Sequence, residues 1–359
     1  MTGRGRPCGA DPAEASSPAG LAGARKDKRR RSTAVRLIVI GILAAAAVIA
    51  VPVCVSIGTI GFSFPEVIKA LFVDDDSSAR LIVWNLRFPR LLTAGLVGVC
   101  LSLSGCILQG VMRNNMASPS TIGVTSGASF VCYITLVAVP TLSWLLPIGS
   151  IVGAFATTML IYLLAYSKGV SPVKMILSGM AVSALFGAFN DMIKTLFSDA
   201  LANASSFLVG GLNGAGWNSF QTILPYAAVG IFACAFLPHK MNVLMLGDET
   251  AHSLGLKVER FRFVLIVISS LLAGAAISVA GLISFVGLIV PHIARLLVGS
   301  DYRFLFPASV FLGFMLVTVC DTVGRVIMPP GEVPVSIILS LIGAPFFVFL
   351  LRTREKKRG

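Results

Sequence analysis

Long apolar runs dominate this sequence and constrain its fold more than any other feature. Each run is close to the roughly 20 residues that a helix needs to cross the hydrocarbon core of a bilayer. Only 13% of the 359 residues are charged, whereas about a quarter is usual for a soluble domain. The sequence therefore predicts an all-α integral membrane protein with about ten transmembrane helices, at residues 35–57, 91–112, 122–139, 144–166, 173–197, 220–238, 261–280, 282–298, 304–327 and 334–351.

Positively charged residues are distributed unevenly around these runs. A polar leader ends in a basic cluster at 25–31, and the C-terminal residues are basic as well. Cytoplasmic segments of membrane proteins carry an excess of Lys and Arg, which explains the net charge of +13 without nucleic-acid binding. Because an even number of crossings returns the chain to its starting side, both termini are predicted to be cytoplasmic. The predicted organisation is a disordered leader at 1–34, a transmembrane domain at 35–351 and a tail at 352–359.

Cysteine and histidine are too scattered to suggest a metal site. The seven cysteines form no C-x-x-C pair, and the three histidines are far apart in the sequence. Zinc sites and disulfide frameworks show closely spaced ligands. We therefore predict neither a metal site nor a cofactor, and we expect the cysteines to be small apolar fillers in helix packing.

One sequence pattern occurs twice. Residues 96–105 and 272–281 both fit L-x-G-x-x-[LI]-S-[LV]-[SA]-G, in the second and the seventh predicted helix. An offset of five helices is odd, so the two halves would have opposite orientations in the membrane. Inverted repeats of this kind are typical of transporters. The alternative is that small residues recur in any packed membrane helix.

A series of motifs follows a fixed order after residue 60. They are LRFPRLL (86–92), Gly105, Gln109, NNMASP (114–119), IGVTSGA (122–128), LGDETAHSLG (246–255), GLISFVGLIVPHIAR (281–295), DTVGR (321–325), EVP (332–334) and GAPFF (343–347). In sequence and order they resemble the FecCD family, the permease subunits of type II ABC importers for iron–siderophores, haem and vitamin B12. The leader lies outside the resemblance. Asn114-Asn115 departs from it, because many members have proline or an apolar residue directly after one asparagine.

The resemblance implies a multi-subunit importer in the cell membrane. It implies ten helices per subunit, a second permease subunit that is identical or paralogous, a cytoplasmic ABC ATPase dimer and an extracytoplasmic substrate-binding protein. The implied substrate is an iron–siderophore or a related metal chelate such as haem or cobalamin, and no residue chooses among them. The chain has no G-x-x-x-x-G-K-[ST] phosphate loop, so a partner would hydrolyse ATP.

Two other functions compete with this interpretation. An ion-coupled secondary transporter would need acidic residues within its spans. Only Asp191 and Asp321 qualify, and both fall near predicted outer ends. A membrane scaffold without transport activity is the other alternative.

The polar segment 240–262 is the predicted contact with the ATPase. Asp248 could cap a short helix there, and Gly255 could end it. In the FecCD family a short cytoplasmic helix at this position sits in a cleft on the ATPase. The resemblance therefore implies a contact made by Asp248, Glu249, Ala251, His252, Leu254 and Gly255. An ordinary solvated loop is the alternative.

Three arginines are predicted to face outward, against the usual charge bias. The resemblance implies that Arg87, Arg90 and Arg325 dock carboxylates on the two lobes of the binding protein. Exposed charge pairs of this kind steer association and fix register. For Arg325, a local pair with Asp321 four residues earlier is the alternative.

The start of the fifth predicted helix is a candidate gate. By position, Ser171, Pro172 and Val173 resemble the family's inner gate, where two subunits meet around the transport path. Pro172 would also leave earlier carbonyls available to face a cavity. His292 could be a ligand or a proton relay, but a structural role near the ATPase side is the interpretation that we prefer.

Overall fold

The protein is a bundle of helices. A computed structural model describes residues 18–58, 61–73, 77–139, 141–142, 144–166, 172–202, 207, 209–329 and 331–355. No strand occurs in this part of the chain. The helices are α1 (Pro18–Ser56), α2 (Phe64–Phe72), α3 (Ser78–Ile82), α4 (Phe88–Val111), α5 (Val124–Ala138), α6 (Leu145–Ala165), α7 (Pro172–Leu196), α8 (Ser198–Leu201), α9 (Trp217–Phe236), α10 (Pro238–Leu244), α11 (Asp248–Ser253), α12 (Val258–Ala280), α13 (Val286–Val298), α14 (Tyr302–Val326) and α15 (Val335–Glu355).

Each of the ten predicted apolar segments coincides with a helix. Among the described residues, seven helical stretches are long and apolar enough to cross a membrane. The second of them, Ser78–Val111, joins α3 and α4 through a π-helical turn. Three further apolar helices, α5, α13 and the apolar part of α15, are shorter than 18 residues. The chain is therefore a multi-pass membrane protein, as its composition predicts.

Small residues bring the central helices into backbone contact. Helix α4 is almost entirely buried, and it packs against α9, α12, α13 and α14. A Cβ at Gly98 would overlap the carbonyl oxygen of Gly313 in α14, and one at Gly105 would overlap that of Gly287 in α13. Lipid gives little hydrophobic drive for helix association, so such close packing stabilises the core.

Helix α1 begins inside the leader. The structure describes Pro18–Ser56 as one helix of 39 residues, and the disorder of the leader at 1–34 stays a prediction. Its basic segment is rich in Lys, Arg and Ala, which are good helix formers. Extending an existing helix also avoids the cost of nucleating a new one. Residues 1–17 lie outside the described part of the chain, as do residues 356–359 of the predicted tail.

Helices α7 and α15 contribute less to the core than α4 and α12 do. Most of α7 is exposed in this single chain, including Val173, Leu177, Met180 and Leu185. On α15, Leu341 is 70% exposed. These apolar faces are available to lipid or to another membrane subunit.

Candidate functional site

Two of the three predicted docking arginines bind the end of α1. Arg87 donates from Nη1 to the carbonyl oxygens of Val55, at 2.9 Å, and Ser56, at 3.4 Å. Arg325 donates from Nη2 to the carbonyl oxygen of Cys54 at 3.2 Å. The last carbonyls of a helix have no partner within it, and cations are favourable there. The two arginine side chains therefore satisfy the free carbonyl groups at the C-terminal end of α1.

The third arginine, Arg90, holds two carboxylates. Its Nε and Nη2 donate to both oxygens of Asp321, at 3.0 and 2.8 Å, and its Nη1 donates to Glu332 at 2.8 Å. Arg325 lies 3.5 Å from Asp321, which bears out the predicted local pair as a weaker contact. Forked bonds of this kind are the strong form of the arginine–carboxylate interaction. Arg90 thus links α4 to α14 and to the segment that precedes α15.

We call the end of the bundle where Arg87, Arg90 and Arg325 meet the arginine end. The exposure predicted for these side chains is wrong: Arg87 and Arg325 are 7% and 6% exposed, and the Arg90 side chain is 11% exposed. A guanidinium group beside apolar helices needs partners for its N–H groups, and carbonyls and carboxylates of the same chain supply them. All three still line a cavity of about 420 Å³, together with Asn213 and Glu332. Docking itself stays a prediction.

A π-helical turn positions the first two arginines. Residues Val83–Arg87 form this turn, and the N–H of Phe88 donates to the carbonyl of Val83, five residues earlier. Pro89 follows, and a proline cannot donate to the residue four positions before it and clashes with that carbonyl. The wider turn accommodates the proline inside a continuous helix. The Arg-x-Pro-Arg stretch is therefore helical.

Helix α11 is the short helix that the sequence predicts between Asp248 and Gly255. Gly255 has a φ of +83°, and its N–H donates to His252 while the N–H of Leu256 donates to Ala251, at 2.9 and 3.0 Å. These two bonds define a Schellman motif, which favours glycine at the left-handed position. Gly255 ends the helix as predicted.

The N-cap of α11 differs from the prediction. Gly247 occupies the cap position, and Asp248 is the first helical residue. The Asp248 carboxylate binds Arg262 of α12, at 2.7 and 2.9 Å, and also Arg113 just after α4. Capping by the Asp248 side chain is therefore wrong, because two guanidinium groups bind that carboxylate more strongly than a backbone amide would. Burial and the positive charge of Arg262 lower the pKa of Arg113.

Several side chains in and beside α11 are exposed and available for contact. Ala251 is buried, whereas Glu249 and His252 are exposed and Leu254 is 61% exposed. Leu246 precedes the helix and is also largely exposed. The solvated-loop alternative does not predict an ordered helix with apolar side chains at its surface. We call the end of the bundle that carries Leu246, α11 and Leu254 the α11 end.

The predicted gate is only partly described. Ser171 lies outside the described residues, as does the Pro172 side chain, and Val173 in the first turn of α7 is 65% exposed. His292 packs edge-on against Phe346, with ring centres 5.8 Å apart. Within the described ranges, no group of three or more His, Cys, Asp or Glu could hold a metal ion.

Sequence reasoning missed several polar contacts near the α11 end. They involve Arg113 and Arg262, which lie beside apolar runs in the sequence, and the motif residue Gln109. In the structure Gln109 is buried, accepts a bond from Arg295 and donates to the carbonyl of Gly287 at 3.1 Å. A charged or amide side chain inside or next to an apolar run was the available signal, because such a group needs a partner.

Comparisons with known proteins extend over most of the chain. Residues 42–353 match the FecCD transport family. The Fe(3+)-citrate import system permease protein YfmD of Bacillus subtilis is 35% identical, over 90% of this chain and 97% of its own length. The hemin transport system permease protein HmuU of Yersinia pestis is 34% identical, over 85% of this chain and 92% of its own.

A cobalamin permease and a solved structure agree with these relatives. The cobalamin import system permease protein BtuC of Halobacterium salinarum is 41% identical, over 77% of this chain and 75% of its own. A metal-chelate type ABC transporter in an inward-facing conformation has a TM-score of 0.78 and 29% identity, over 88% of this chain and 99% of its own. On this evidence the chain belongs to the FecCD transport family.

Proposed function

We propose that this protein is the permease subunit of an ATP-driven importer that moves an iron–siderophore or a related metal chelate into the cytoplasm. The family match over residues 42–353 carries the proposal. Relatives at similar identity are named for ferric citrate, hemin and cobalamin, which share the chemistry of a bulky metal chelate. ATP hydrolysis is assigned to a partner ATPase dimer, since the chain has no phosphate loop.

The contacts of the two acidic residues near predicted span ends are evidence against a secondary transporter. Asp321 is 3% exposed and is bound by Arg90. Asp191 is paired with Lys194, three residues later on α7. An ion-coupling carboxylate has to exchange its ion during transport, and both of these carboxylates have a protein cation as partner instead.

Reconstitution separates the two mechanisms. The permease is placed in liposomes with its ATPase and binding protein, and uptake of radiolabelled ferric siderophore, hemin and cobalamin is measured. The proposal predicts that ATP inside the liposomes drives uptake of one chelate, and that an ionophore leaves uptake unchanged. Uptake driven by a proton or sodium gradient without ATP would favour the secondary transporter.

The proposed location is the plasma membrane. The proposed topology has ten crossings, with both termini in the cytoplasm. The seven long and three shorter apolar helices provide the crossings. The arginine end then faces outward and the α11 end inward. The basic residues near α11 and in the two tails agree with this orientation.

The proposed inverted repeat is supported by equivalent packing of its two copies. Helices α4 and α12 contact each other, and α4 packs on α14 as α12 packs on α6. In each copy the first glycine is the contact: a Cβ at Gly98 would overlap Gly313, and one at Gly274 would lie 2.6 Å from Cα of Ile151. Gly98→Ala and Gly274→Ala should therefore lower the unfolding temperature by similar amounts. Gly187→Ala is the matched control, since no atom lies within 4 Å of its added Cβ.

The proposed ATPase contact is α11. Its exposed Glu249, His252 and Leu254 would lie against the ATPase, Ala251 and Gly255 would shape the helix, and Asp248 would hold it in place. A partly apolar surface suits a permanent contact between subunits, because it buries area that water otherwise covers.

The proposed docking site for the binding protein is the cavity at the arginine end. A carboxylate of the binding protein would enter beside Arg87, Arg90 and Arg325 and would compete with Glu332 for Arg90. The cavity and the partial exposure of Glu332, at 31%, support this competition.

The second permease subunit is proposed to pack near α7, with Ser171, Pro172 and Val173 at an inner gate. The exposed apolar face of α7 supports an additional membrane partner. A cysteine at Val173 should cross-link to the second subunit in one nucleotide state and not in another. Equal cross-linking in all states would contradict a gate.

A further inference from the structure

The carboxylate of Asp248 connects three helices at the α11 end. Arg262, in the second turn of α12, donates from Nη2 to both carboxylate oxygens. Arg113, directly after α4, donates to the same carboxylate. Arg262 is only 2% exposed, so its charge needs this partner. The first residue of α11 is thereby joined to the ends of both helices that carry the repeated sequence pattern.

A second carboxylate extends the cluster to α6. Glu259 accepts from Arg262 at 3.3 Å and from the hydroxyl group of Tyr162 at 2.6 Å. Two arginines face two carboxylates, so the charges balance. The bonds join α6, α11, α12 and the residue after α4 in one polar network, in which the buried Nε of Arg262 has no hydrogen-bond partner among the described residues.

Arg113 has a backbone conformation that normally requires glycine. Its φ is +46°, and its N–H donates to Gly110 while that of Asn114 donates to Gln109, at 3.3 and 3.1 Å. The same Schellman motif ends α11, where glycine occupies the equivalent position. A non-glycine residue with positive φ is strained and points to a function of its side chain. Here the side chain reaches Asp248.

We propose that Asp248, Arg113 and Arg262 form a clamp that transmits movement of α11 to α4 and α12. The inference rests on the proposed role of α11 as the ATPase contact. Of the six residues of α11 only Ala251 is buried, so apolar packing alone holds the helix weakly. The clamp residues position α11 and are not themselves the surface that the ATPase touches.

The first test replaces the carboxylate with an isosteric amide. Asp248→Asn leaves Leu254 and His252 in place, so the ATPase should still co-purify and hydrolyse ATP. Chelate uptake per ATP hydrolysed should fall about tenfold, within the roughly 5- to 150-fold range of typical coupling. The control is Asp301→Asn at the same end, where asparagine is an equally good N-cap for α14. Unchanged uptake per ATP, or loss of ATPase binding together with uptake, would overturn the clamp.

The second test uses the strained residue. Arg113→Gly removes the side chain and also relieves the positive φ. The unfolding temperature should stay the same or rise, while uptake per ATP falls. A purely structural role predicts a lower unfolding temperature instead, and normal uptake by the variant would show that Arg113 is not part of the clamp.

A third variant separates the clamp from the proposed function. Leu254→Asp alters the exposed contact and leaves the clamp intact. If this variant still binds the ATPase, the assigned contact is wrong whatever Asp248→Asn does. If it loses the ATPase while Asp248→Asn transports normally, only the clamp is wrong.

Discussion

The arginine end and the α11 end use charged residues in opposite ways. At the arginine end, Arg87, Arg90 and Arg325 point inward and are bound by carbonyls and carboxylates of the same chain. At the α11 end, the charge of Asp248 is bound internally, but the neighbouring Leu254 is left at the surface. The arginine end buries the side chains that were predicted to bind a partner, whereas the α11 end leaves Leu254 exposed.

This difference predicts two kinds of partner contact. A binding protein at the arginine end has to compete with bonds that already exist, so its docking should be weak and sensitive to salt. An ATPase at the α11 end meets exposed apolar side chains that have no competing partner, so its contact should be tighter. The arginine end therefore suits a partner that binds reversibly, and the α11 end suits a permanently bound subunit.

The largest effect is expected at the α11 end. Leu254→Asp places a charge in the proposed apolar contact, so ATPase co-purification and uptake should both be abolished while the permease remains in the membrane. Burying an unpaired carboxylate in an interface is strongly unfavourable. Leu142→Asp is the control, because Leu142 is also exposed but lies away from α11. Wild-type uptake by Leu254→Asp would mean that α11 is not the contact.

The second effect concerns the stability of the arginine end. Arg90→Ala leaves the buried Asp321 without its forked partner and should cost about 3–5 kcal/mol of unfolding free energy. Arg303→Ala, which removes an exposed arginine paired with Asp301, should cost less than about 1 kcal/mol. Thermal unfolding in detergent measures both. Equal costs would show that Arg90 does not hold this end together.

The smallest effect tests the competition itself. Glu332→Gln removes the partly exposed partner of Arg90 and should raise the affinity for the binding protein about two- to fivefold, the usual worth of an exposed ion pair. Titration at low salt measures this. Glu66→Gln removes a carboxylate from α2, and glutamine can keep its capping box with Ser63. If both variants change the affinity equally, Arg90 is not the docking residue.

The helices of this protein follow from its sequence because a long apolar run in a membrane protein has few other options. All backbone groups must bond within the segment, so each run becomes a helix. The end of α11 also follows, because Gly255 is adapted to the left-handed position that closes a helix. Local chemistry was sufficient for these features.

The exposure of the arginines could not be predicted in this way. Whether Arg90 faces water depends on Asp321, which is 231 positions away in the sequence. The residue type and the predicted side of the membrane gave no information about that partner. The contacts of Asp248 could not be predicted for the same reason, since one of its arginines follows α4 and the other lies in α12.

The proposed orientation places the arginine end outside the cell and the α11 end inside. Its most direct test is labelling from one side of the membrane. All seven native cysteines are replaced, and single cysteines are introduced at the exposed positions Asp199 and Leu254. A membrane-impermeant maleimide is then added to intact cells that produce the permease without its ATPase, which would otherwise cover position 254. The proposed orientation predicts that the cysteine at 199 is labelled at once, and that the cysteine at 254 is labelled only after permeabilisation. Labelling of both positions in intact cells would contradict it.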